Sequence, residues 1–97
     1  MNEEMQKFHD EVKNMQRRLP SYFEAPDDSK ASSIEESFRN LEVDLHTGKT
    51  GDKIQNRLKE IERQLKPAHN AEVMNYNHFI QLEDWVRSHL NNFHNYQ

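Results

Sequence analysis

Apolar residues recur at alternating spacings of four and three in three separate stretches of this chain. They are Met1, Met5, Phe8, Val12, Met15 and Leu19; then Ile34, Phe38, Leu41 and Leu45; then Ile54, Leu58, Ile61 and Leu65. Residues so spaced fall on one narrow stripe of an α-helix, and each stretch therefore carries one apolar seam on an otherwise wetted rod. A seam of this kind must be buried against other seams, which restricts the chain to helix-on-helix architectures. No alternating segment rich in Val or Thr supports a sheet.

Helix boundaries follow from the punctuation. The first helix is expected over about 2–19, stopped by Pro20, with Arg17 and Arg18 placed where cations complement the helix dipole. Residues 20–32 contain most of the turn formers and read as a long connecting loop. A second helix is expected over 33–47, opened by a capping box at Ser33 and Glu36 and closed by Gly48, which suits the left-handed position after a helix. A third runs over 52–66, from Asp52 to the residue before Pro67. A fourth runs over 71–94 after a cap at Asn70. Phe79, Leu82, Val86, Leu90 and Phe93 form its stripe, widened by Val73, Tyr76 and Ile80 on one side and by Met74 and Trp85 on the other, so this helix is expected to lie deepest. The fold expected is an all-α, antiparallel bundle of four helices in a single domain over 1–97. The alternative topology detaches the first helix and completes the core by dimerisation through its seam.

The core is thin. Hydrophobic residues make up 33% of the chain against 31% charged, a balance near that of disordered sequences, but a net charge of −4 and the helical register of the apolar positions favour a folded chain. With no Cys, neither disulfides, thiolate zinc sites nor a cysteine nucleophile are available. No apolar run approaches the ~20 residues that span a bilayer, and Met1-Asn2-Glu3-Glu4 lacks both parts of a signal peptide, so a soluble, cytoplasmic protein without a membrane role is expected.

Reactive constellations fail on spacing. No two of the six histidines, His9, His46, His69, His78, His89 and His94, stand three or four apart. Glu42 and His46 do, with Asp44 nearby, but a single Glu/His pair reads as a solvated helix contact, and no metal or other cofactor is expected. The acidic pairs Glu3-Glu4, Asp27-Asp28, Glu35-Glu36 and Glu83-Asp84 are consecutive, so on a helix they diverge by about 100° instead of converging as an acid and base. Gly48-Lys49-Thr50 has the end of a phosphate loop without its upstream glycine. Enzymatic activity is not expected.

Charge is segregated: residues 20–48 carry two basic and seven acidic side chains, and residues 49–66 carry six basic and three acidic. The basic set, Lys49, Lys53, Arg57, Lys59, Arg63 and Lys66, is interrupted by Glu60 and Glu62. A nucleic-acid role is therefore not favoured in a chain of pI near 5.8. Aromatic residues lying off the main stripes, Tyr22, Phe23, Trp85 and Tyr96, are the candidate anchors for a protein partner. The function expected is that of a non-catalytic protein–protein interaction module, an adaptor, inhibitor or regulator. A self-associating structural protein is the alternative, and a nucleic-acid-binding or metal-responsive regulator ranks below both.

Overall fold

The computed structural model describes residues 3–92, and among these it contains four α-helices and no strands. They are α1 (Glu3–Arg18), α2 (Ser29–His46), α3 (Asp52–Asn70) and α4 (Tyr76–Asn91). Each packs against the next along the chain in antiparallel sense. Across α2 and α3, Ser37 bonds Gln64 while Asp44 bonds Arg57, so one position number falls as the other rises. The result is the four-helix bundle expected, measuring 38 × 21 × 17 Å.

One continuous core occupies its centre. Phe8, Val12, Leu19, Ile34, Phe38, Leu41, Leu45, Ile54, Leu58, Ile61, Leu65 and Leu82 are all excluded from solvent, which accounts for every described position of the three seams that open the sequence pattern bar Met5 and Met15, themselves buried. The α1 seam is covered within one chain. Burying it requires no second copy, and the detached-helix topology loses its physical motive. Met1 and Phe93 of the expected stripes lie outside the described residues.

The boundaries differ from the sequence reading at three places. Residues 20–32 are not a long loop: Leu19–Tyr22 form a 3-10 turn with Pro20 in its first positions, and α2 starts at Ser29. Asp28 caps α2, its carboxylate accepting from the Lys30 N–H at 2.8 Å, and Ser33 lies a turn inside the helix. Helix α3 runs through Pro67 to Asn70. Pro67 removes the hydrogen bond its own nitrogen would donate to Arg63 and crowds that carbonyl, yet α3 continues for one further turn, on which Ala68 packs into the core. Residues 71–75 are consequently a turn, and Asn75, not Asn70, caps α4 by accepting from the His78 N–H at 2.8 Å.

Helix α4 is not the deepest element either. Val73 and Met74, assigned to it from sequence, are buried in the turn before it, while Tyr76 is 61% exposed and Ile80, Trp85 and Leu90 are only partly covered. Helix α2 buries the larger set, Ala31, Ile34, Ser37, Phe38, Leu41, Asp44 and Leu45. It packs closely on both α1 and α3.

The segment after α1 closes one end of the bundle. The backbone N–H of Glu24 donates to the Val73 carbonyl at 2.7 Å, and Phe23 pairs with Met74 in an isolated antiparallel bridge. Asn75 donates from its side chain to Glu24 at 2.9 Å. Residues 19–28 are therefore a strap fastened to the α3–α4 turn.

Candidate functional site

Helices α1 and α4 lack the close backbone approach made by successive helices, and large rings fill the gap between them. Phe8 of α1 lies 6.2 Å, centroid to centroid, from Trp85 of α4 and 4.6 Å from the His89 ring. Trp85 also meets Phe38 of α2 at 5.6 Å and stands edge-on to His89 at 4.6 Å. Its outer part remains accessible, flanked one turn away on either side by exposed Gln81 and Ser88. At the rim of the same seam, Glu11 faces His89 at 3.5 Å. Burial among these rings pushes the His89 imidazolium below the usual histidine range, with Glu11 pulling in the opposite direction.

The four aromatic residues singled out in the sequence do not form one surface. Tyr22 and Phe23 retain only 9% and 7% of their exposure, because the strap turns them into the end of the core. Tyr22 stacks on His78 at 4.9 Å with the rings 12° from parallel, and its carbonyl lies 3.1 Å from His78 Nδ1. As ready surface anchors these two are withdrawn: they plug the bundle instead. Trp85 is the one that reaches the surface, and Tyr96 lies outside the described residues.

The histidines among the described residues are distributed among separate structural tasks, and His94 lies outside those residues. His69 Nδ1 lies 3.1 Å from the Met74 carbonyl, and its ring stacks on Phe79 at 5.1 Å, fixing the α3–α4 turn. His78 holds the strap, and His89 sits in the α1–α4 seam. His9 is different. It is buried on α1 with Nε2 2.9 Å from Glu42 Oε2 on α2, and His46, one turn further along α2, brings its ring centroid to 6.2 Å from that of His9. One potential ligand atom from each of His9, Glu42 and His46 lies within 4.8 Å of the others. The sequence supplied the Glu42/His46 pair, but the third member comes from a different helix. Asp44, noted beside that pair in the sequence, points elsewhere, to Arg57 Nε at 2.7 Å.

The basic residues of α3 are partly spent on the bundle itself. Arg57 bonds Asp44 across to α2 and approaches Glu60 at 3.5 Å, and the Asp44 bond above all raises its pKa. An open groove of about 230 Å³ between α2 and α3 is lined by Ser29, Lys30, Ser33, Arg63, Gln64 and Pro67. No described helix is long and apolar enough to cross a membrane. In comparison with known proteins, the chain matches no family model, no curated protein and no solved structure.

Proposed function

We propose that this chain is a non-catalytic protein-interaction module that meets its partner through the α1–α4 face, with Trp85 as the central anchor. The observation that carries this reading is the placement of Trp85. It is rooted against Phe8 and Phe38, so its rotamer is fixed before binding, while its outer part stays accessible between polar residues. Tryptophan set in this way, packed on aromatic rings at its root and flanked along its own helix by exposed polar residues, supplies large contact area at little entropic cost, as binding hot spots do. A fixed helical scaffold adds to this, since a preorganised surface loses less on association.

The test uses substitutions that leave the core untouched. Gln81→Arg and Ser88→Arg each place a bulky charge beside Trp85 on exposed positions. Affinity capture from the source organism with the wild-type chain is expected to recover a stoichiometric protein partner. Either variant should weaken its recovery at least tenfold while helicity by circular dichroism is unchanged. Equal recovery by both variants would remove the α1–α4 face from consideration, and recovery of no stoichiometric partner would remove the interaction reading.

A further inference from the structure

We infer that His9, Glu42 and His46 form a binding site for a single divalent transition-metal ion, zinc being the ion their donor set suits best. Two imidazoles and a carboxylate are the ligand types zinc takes in three-ligand protein sites, with a water molecule completing the tetrahedron. Harder cations such as magnesium and calcium prefer all-oxygen shells, which this trio does not provide.

The geometry is close to what binding requires. A tetrahedral zinc with bonds of about 2.0–2.2 Å holds adjacent donor atoms about 3.3 Å apart. Here His9 Nε2 and Glu42 Oε2 are 2.9 Å apart, and the whole trio falls within 4.8 Å. Side-chain movements of about 1 Å bring all three donors onto one ion, and the members that must move are able to. His46 is exposed, and Glu42 is partly exposed with a long flexible stem. His9, at 4% exposure on the buried face of α1, is the fixed point around which they close.

Two further features favour a cation here. Glu42 and His46 stand four apart on α2, so both side chains leave the same face. His46 lies in the last turn of α2, where the helix dipole favours positive charge. On loading, the hydrogen bond between His9 and Glu42 is exchanged for two bonds to a shared ion, with His9 binding as the neutral tautomer that carries its one ring proton on Nδ1 and leaves the Nε2 lone pair to the ion. The ion then clamps α1 to α2 more firmly than the hydrogen bond does.

Isothermal titration of the untagged full-length chain with zinc chloride tests the site. One ion per chain is expected, with a dissociation constant of micromolar order or tighter. Cobalt substitution should give the intense visible absorption of a tetrahedral centre. His46→Ala, at an exposed position, and Glu42→Gln, which retains an acceptor for His9, should each weaken zinc binding at least tenfold and abolish the cobalt spectrum, with the helical content of the metal-free chain unchanged. Saturating zinc should also raise the melting temperature of the wild type by at least ~5 °C, reversibly with EDTA. Zinc affinity weaker than about 100 μM overturns the inference. Tight binding that survives both substitutions does so too, by assigning the ion to other histidines.

Discussion

At the scale of single residues, the polar groups inside this bundle are tied to neighbours whose chemistry sets how the fold responds to its surroundings. Ser37 donates to Glu60 or Gln64, each at 3.0 Å, and Asp44 accepts from Arg57, so the α2–α3 contact is specified by polar pairing as well as by seams. His89 is the member whose protonation matters. Burial holds its imidazolium below the ordinary histidine range, so the unfolded chain takes up this proton at a higher pH than the folded one. The contribution of His89 to stability is therefore fully present well above pH 6.5, the ordinary histidine value, and is lost as pH falls below it toward the lower folded-state value. Urea melts at pH 7.5 and pH 5.0 should show the wild type losing more stability on acidification than His89→Gln, which has no proton to gain. Equal losses would mean that His89 is not the group responsible.

At the scale of elements, two helices end by the same device built from different residues. In α2 the Lys49 N–H reaches the Asp44 carbonyl at 2.9 Å and the Gly48 N–H reaches the Leu45 carbonyl at 3.1 Å, with Gly48 at φ 82°. In α3 the Val73 N–H reaches the Ala68 carbonyl at 2.9 Å and the Glu72 N–H reaches the His69 carbonyl at 3.0 Å, with Glu72 at φ 62°. Both are Schellman terminators, and in the second the accompanying apolar contact is supplied by buried Val73 and Ala68. A side chain at positive φ is strained by its Cβ, a cost glycine does not bear. Glu72→Gly should accordingly stabilise the fold by about 0.5–1 kcal/mol, and Gly48→Ala should destabilise it by about 1 kcal/mol. Chemical denaturation of the two variants against wild type reads both signs. The α2 terminator was legible because glycine announces it. That of α3 was hidden twice, by Pro67, which reads as a stop, and by a glutamate where glycine is the usual signal.

At the scale of the whole molecule, the strap over residues 19–28 converts four rods into a closed body. It carries Leu19, Tyr22 and Phe23 into one end of the core and fastens them to the α3–α4 turn through Glu24, Val73 and Met74. Phe23→Ala should cost about 3 kcal/mol, the range for truncating a large buried ring, and hydrogen exchange should show faster opening at the Glu24 amide that bonds Val73. A loss below about 1 kcal/mol with unchanged exchange would show that the strap lies on the bundle without closing it.

The sequence by itself determined the number of helices, their seams, the antiparallel order of the last three and most of the core, because helical periodicity and short connections are local properties written in consecutive residues, whereas the docking of α1 was decided only by the tertiary structure. It also singled out Trp85 and the Glu42/His46 pair. Only the tertiary structure decided that Tyr22 and Phe23 turn inward, that α3 passes through Pro67, and that His9 joins Glu42 and His46. Each of these depends on residues distant in the chain: Tyr22 on His78, Ala68 on the core it packs into, and His9 on a helix more than thirty positions away. Spacing along one helix says which residues share a face, but the meeting of two faces is set by how the seams pack.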